Sequence, residues 1–173
     1  MNNLNYPPII EGKLPAFIKP TTGHISVAIP FKLSGAVGYN DFSHMRLKLK
    51  TITTGLEKYV GDTSKANITF NRSTNTYVAI FNIAAAADIN KINAAQFYKA
   101  QVAFVKYNYN TTSDTTKSDT KTYYTYNSST KIYSVFTGNA FATGTTYYER
   151  SDSVSPMSSV GIIKCTSPIN LTI

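Results

Sequence analysis

Two histidines, His24 and His44, one cysteine, Cys165, and nine acidic residues are the groups best suited to metal, nucleophilic or acid–base chemistry in this chain. His44 follows Asp41 by three positions, but His24 has no carboxylate near it, so a two-histidine metal site would have to be assembled from distant segments. Cys165 stands in the alternating run Val160–Thr166, where a buried structural thiol is expected. A single cysteine also leaves no internal disulfide and no cysteine-based metal cluster. Glu149 and Asp152 read as solvated. The chain contains no Gly-x-Ser-x-Gly elbow, no phosphate loop and no closely spaced pair of acids. These residues predict no enzyme, no metal and no cofactor.

Binding chemistry is better represented. Arg46, Lys48 and Lys50 alternate with Met45, Leu47 and Leu49, which on a strand sets three cations in a row about 6.6–6.8 Å apart. Such a row is either a solvated outer face that also discourages edge pairing, or a contact for an acidic neighbour. The second feature is Lys121–Arg150, a tyrosine and threonine run written almost twice over: Thr122-Tyr123-Tyr124-Thr125-Tyr126 and Gly144-Thr145-Thr146-Tyr147-Tyr148-Glu149, with Ile132-Tyr133-Ser134-Val135-Phe136 between them. Eight of the 13 tyrosines fall between Tyr107 and Tyr148. Tyr123, Tyr124, Tyr126, Tyr133, Tyr147 and Tyr148 are candidates for a contact surface, because tyrosine offers apolar area and a hydroxyl at low entropic cost. They can equally form the small core of a hairpin, since cross-strand aromatic pairs contribute roughly 0.2–1 kcal/mol each. Sugar stacking is a third use of the same rings.

The elements that must position these residues are strands. At 173 residues the chain suits one domain, or one domain with a large insertion. Apolar residues make up 42% and charged residues 15%, so a core is available while solubility rests on hydroxyls and amides, a composition of strands and turns. The net charge of +8 is spread singly: 11 Lys or Arg against 5 acids over residues 1–105, and 6 against 4 over residues 106–173. That dispersal argues against nucleic acid as the partner. No apolar stretch approaches the ~20 residues of a membrane span, and residues 1–5 have no leader pattern, so a protein made in a cytoplasm and staying off the membrane is expected. Five Asn-x-Ser/Thr triplets, at Asn67, Asn71, Asn110, Asn127 and Asn170, are what chance delivers in such a composition.

Pro7, Pro8, Pro15 and Pro20 allow only an extended leading edge over residues 4–20. Ile25–Leu33 alternates as a half-buried strand, with a glycine turn over residues 34–40 after it. Met45–Thr53 is the next strand, and Gly55 and Gly61-Asp62 mark a loop. Ile68–Phe70 and Thr76–Ile83 form a hairpin through residues 71–75, Ala84–Ala95 is the one helical candidate, and Gln96–Tyr107 is a strong strand. Asn108–Lys121 is too polar to order itself. The tyrosine run follows, then a loop over Ser151–Ser159 and a last strand, Val160–Ile173, broken by Pro168. Regular short strands predict an all-β fold, a β-sandwich or a barrel, and the edge-like, proline-bearing termini favour a β-sandwich of residues 1–107 plus 154–173, with residues 108–153 inserted as a loop and a tyrosine-rich β-hairpin before the last strand.

Ile92 followed six positions later by Tyr98, with Ala100 and Val102 beyond it, resembles the tyrosine corner of fibronectin type III and other immunoglobulin-like domains, although Ala94 stands where fibronectin modules commonly carry proline. Ser155-Pro156 leading into Val160–Thr166 is similar to the closing strand of such modules. The tyrosine run resembles a small module of bacteriophage tail and fibre proteins. Tyr6–Phe17, Phe97–Val102 and Ser159–Lys164 are similar to the opening, centre and close of virion proteins of gut-bacterial phages. The resemblance implies an immunoglobulin-like β-sandwich in a non-enzymatic virion protein that assembles, decorates or stabilises the particle. Its partners would then be other virion proteins or further copies of itself. A carbohydrate- or host-surface-binding module, with a glycan as ligand, is the alternative.

Overall fold

The computed structural model describes residues 8–9, 14–20, 23–33, 38–84 and 86–167. Residues 1–7, 10–13, 21–22, 34–37, 85 and 168–173, and with them Pro7, half of the Tyr6–Phe17 segment, part of the glycine turn, Pro168 and the Asn170 triplet, lie outside the described residues. The protein is all-β, with one six-residue α-helix and a single 3-10 turn, Lys65–Asn67, among the described residues. It divides into two compact units: one runs to Lys106 and resumes at Val154, and the other is Tyr107–Ser153.

The first unit holds two sheets. One has the order β1 (Phe17–Ile18), β11 (Ser158–Thr166), β7 (Phe97–Thr111), β3 (His44–Thr51) and β4 (Glu57–Ser64). Only β1 runs parallel to its neighbour. The other is antiparallel, in the order β2 (Ile25–Phe31), β6 (Thr76–Ile83) and β5 (Ile68–Asn71). Period-two alternation explains both. Ile25, Val27, Ile29 and Phe31 of β2, Met45, Leu47 and Leu49 of β3, and Tyr98, Ala100, Val102 and Phe104 of β7 are all buried, and they join one hydrophobic cluster to which both sheets contribute. Each large apolar side chain so buried is worth about 1.5–3 kcal/mol. The helix α1 (Ala86–Lys91) sits inside the expected helical stretch, and Ile89 and Ile92 pack into the same cluster.

Three expected loops are strands. Gly61-Asp62 lies inside β4, which pairs with β3 from His44↔Ser64 to Lys50↔Glu57. Gly61 makes room there for Tyr59: a Cβ at Gly61 would lie 2.0 Å from the Tyr59 hydroxyl. Asn108–Thr111 extends β7. Most of Ser151–Ser159 is taken up by β10 (Tyr148–Val154) and the start of β11, leaving Ser155–Met157 between them. Ser155 is buried at this junction, where its N–H donates to the Phe104 carbonyl at 2.9 Å and its Oγ accepts from the Phe104 N–H at 2.9 Å.

In the second unit β8 (Tyr123–Asn127) pairs antiparallel with β9 (Ile132–Val135) and with β10, and β10 lies next to β7 in the strand order. The tyrosine run therefore builds three strands around a central β8. Two of the Asn-x-Ser/Thr triplets act as local turns: the Asn71 side-chain carbonyl accepts from the Ser73 N–H at 3.0 Å, and that of Asn127 from the Ser129 N–H at 2.9 Å.

Candidate functional site

The basic row does not lie on an edge. β3 is flanked by β4 and β7, so each cation meets cross-strand neighbours and the row has no part in guarding an edge. Arg46 faces Asp62 and grips it twice, Nε to Oδ1 at 2.7 Å and Nη2 to Oδ2 at 2.9 Å. Lys48 and Lys50 share Glu57, at 3.2 and 3.7 Å. The hydrogen bond from Lys48, with help from Lys50, holds the Glu57 carboxyl below the usual carboxylate range. Part of the row's charge is thus met within the chain, by Asp62 and Glu57 of β4.

The tyrosines separate by strand period. Tyr148 faces Tyr124 in the β10–β8 register, Glu149 faces Tyr123, and Tyr126 faces Tyr133 across β8–β9. Because successive side chains point to opposite sides, each doublet, Tyr123-Tyr124 and Tyr147-Tyr148, sends one ring to each side of this small sheet. On one side Tyr147 stacks on Phe141 at 4.1 Å, Phe136 meets Tyr147 at 4.8 Å and Tyr123 meets Phe141 edge-on at 4.8 Å. On the other, Tyr133 stacks on Tyr109 at 4.0 Å with the planes 1° apart, and Tyr126, Tyr148 and Tyr124 complete the group. The Arg150 guanidinium lies 3.9 Å from the centre of the Tyr107 ring. Tyr123, Tyr124 and Tyr147 are buried, while Tyr126 is 41% exposed.

The polar segment after β7 is tied down through hydroxyls and carboxylates instead of apolar contacts. Tyr123 donates its hydroxyl to Asp114 Oδ2 at 2.6 Å and accepts from the Ser118 N–H at 3.2 Å. Lys121 reaches Asp114 at 2.9 Å and Glu149 at 3.3 Å, and Thr112 donates to Glu149 at 2.5 Å. The hydrogen bond from Tyr123, followed by that from Lys121, lowers the Asp114 pKa. The Tyr123 phenol is pushed up, first by its burial and then by Asp114. Glu149 is therefore part of a network and not simply solvated, and Asp152 pairs with Arg150 at 3.3 Å. Tyr109, Phe136, Phe141, Arg150 and Asp114 were not singled out from sequence. The period-two alternation of Tyr107, Tyr109 and Thr111 was the available signal for the first of them.

Cys165 is buried, and burial raises its thiol above the ordinary range, away from the thiolate a nucleophile needs. His24 is exposed at the start of β2 and His44 begins β3. Among the described residues no group of three or more His, Cys, Asp or Glu is placed to hold a metal ion, and no helix is long and apolar enough to cross a membrane. What the arrangement offers chemically is aromatic packing, hydroxyl hydrogen bonding and cationic contact. Comparison with protein-family models, with curated proteins and with solved structures found no match to this chain.

Proposed function

We propose that this chain is a non-enzymatic structural protein of a bacteriophage virion. In this reading an immunoglobulin-like β-sandwich carries a tyrosine-rich insertion before its last strand and works through protein–protein contacts in assembly, decoration or stabilisation of the particle. The observation that carries the proposal is the second unit itself. It is inserted between β7 and β11, it packs its aromatic rings on one another, and it leaves Tyr126, Ile132 (56% exposed) and Val135 (54% exposed) outward on β8 and β9. β9 ends the strand order, so one of its backbone edges has no partner strand among the described residues, and such an edge suits pairing with another chain.

Support for the immunoglobulin-like reading comes from strand order and from one side chain. The orders β4-β3-β7-β11-β1 and β5-β6-β2 place sequence-distant strands side by side, as in Greek-key sandwiches. Tyr98, fully buried, accepts the Asn93 N–H at 2.8 Å, the backward bond of a tyrosine corner. The virion assignment rests on the resemblance of the tyrosine run and of the segments around Phe97 and Ser159. A glycan-binding role would need open ring faces, whereas Tyr133 and Tyr147 each have a face covered by a neighbouring ring. Protein contact is accordingly the favoured use.

The test is to purify particles on a density gradient from a host culture in which this chain is produced, and to quantify it by mass spectrometry. Stoichiometric recovery with the other particle proteins is expected. Recovery only in the soluble fraction, with the purified protein binding glycans on an array, would sink the proposal.

A further inference from the structure

The outer face of the first unit's larger sheet carries a hollow of about 470 Å³ between β3, β7 and β11, lined by Lys50, Lys99, Gln101, Ser159, Gly161 and Ile162 among others. Its register is unusual. Lys50 lies directly opposite Lys99, and like charges at such a position destabilise a sheet. Lys50 has only the distant share of Glu57, which lies nearer to Lys48, and no carboxylate among the described residues pairs with Lys99. Two lysines are thus opposed in the register, with the Glu57 carboxylate, already shared with Lys48, as the counter-charge near them.

The β11 wall of the hollow is irregular. The β11–β7 pairing shifts register between Ser159 and Gly161, and Gly161 adopts φ +98°, a conformation that L side chains rarely take. A Cβ there would meet no atom within 4 Å. Gln101 and Ser159 belong to the same lining as the two lysines, and Ile162, 57% exposed, is its large apolar member.

We propose that this hollow is a recognition site for a carboxylate-bearing segment of a partner protein, an acidic peptide whose Asp or Glu side chain sits between Lys50 and Lys99. Gln101 and Ser159 would meet the polar groups flanking that carboxylate, and Ile162 an apolar neighbour. A carboxylate fits better than a nucleic-acid phosphate. Arg46, the arginine of the same strand, is already committed to Asp62, the hollow has no aromatic ring on which a base could stack, and one wall is aliphatic. The inference does not rest on the virion reading, since it holds for any partner that presents such a segment.

The experiment titrates the whole chain, 15N-labelled, with capped tetraglutamate at about 20 mM salt, where attraction between exposed charges is weakly screened. Tetraglutamine is the neutral control. Amide shifts are expected to concentrate at Lys50, Lys99, Gln101 and Gly161. Lys99→Gln should weaken binding about fivefold or more without lowering the melting temperature, because it also relieves the opposed charges. Lys117→Gln, in the other unit, should bind as the parent does. Equal binding of tetraglutamine, shifts scattered over all lysines, or unchanged affinity in Lys99→Gln would each overturn the site. Tighter binding of inorganic phosphate or of a short single-stranded DNA at the same residues would overturn its assignment to carboxylates.

Discussion

Tyr98 is buried up to its hydroxyl, and that oxygen fixes the entry into β7, the longest strand among the described residues. It accepts the Asn93 N–H at 2.8 Å across the turn that follows α1, while its ring packs against Phe17 with the centroids 6.4 Å apart. Tyr98→Phe keeps the ring and removes the acceptor, leaving a partly buried N–H unsatisfied. The expected cost is about 1–3 kcal/mol, measured by urea unfolding with an unchanged m-value. Stability equal to the parent's would show that the bond contributes nothing. This residue was legible in the sequence because the spacing from Ile92 to Tyr98 is local. The Tyr109–Tyr133 stack was not, since its members lie 24 positions apart and three strand pairings, β7–β10, β10–β8 and β8–β9, separate them. The pairing of Arg46 and Lys48 with acids is illegible in the sequence for the same reason: Asp62 and Glu57 come alongside only when β4 folds back on β3.

At the scale of the element, β4 is the instructive strand. Glu57-Lys58-Tyr59-Val60-Gly61-Asp62-Thr63-Ser64 is charged and carries a Gly-Asp pair that signals a turn, so local preference points away from a strand. Its inward positions hold only Tyr59, Gly61 and Thr63. Tyr59 lies over Gly61, and Thr63 donates its hydroxyl to the Ile80 carbonyl at 2.6 Å. Tertiary pairing with β3 outweighs the weak local signal. Gly61→Ala would drive a methyl into the Tyr59 ring and is expected to cost about 1–3 kcal/mol, as overpacking does, in a thermal or urea melt. Adding Tyr59→Leu should recover part of that loss. Equal destabilisation in single and double variants would show that the ring is not the cause. β2, β3 and the first part of β7 lie at the other extreme, because strict alternation of large apolar residues with polar or small ones leaves a single buried face to choose.

Over the whole molecule, each unit has aromatic and apolar packing of its own, and the chain crosses between them at residues 106/107 and 153/154. The Ser155–Phe104 hydrogen bonds bring the two crossings close on the side of the first unit. A chain in which residues 107–153 are replaced by an Asn-Gly turn is therefore expected to keep a single cooperative melt and its β-type circular dichroism. Loss of the transition would mean that the first unit cannot fold without the second. The amino-acid sequence determined by itself that the protein is all-β, which faces of β2, β3 and β7 are buried, and that tyrosines concentrate in one segment. Those properties depend on composition and on a period of two residues. Only the tertiary structure decided that the basic row lies inside a sheet with acids beside it, that the tyrosine doublets divide into two packed groups, and that Lys50 faces Lys99 over an open hollow. Each of these depends on strand register between segments far apart in the chain, which local spacing does not encode.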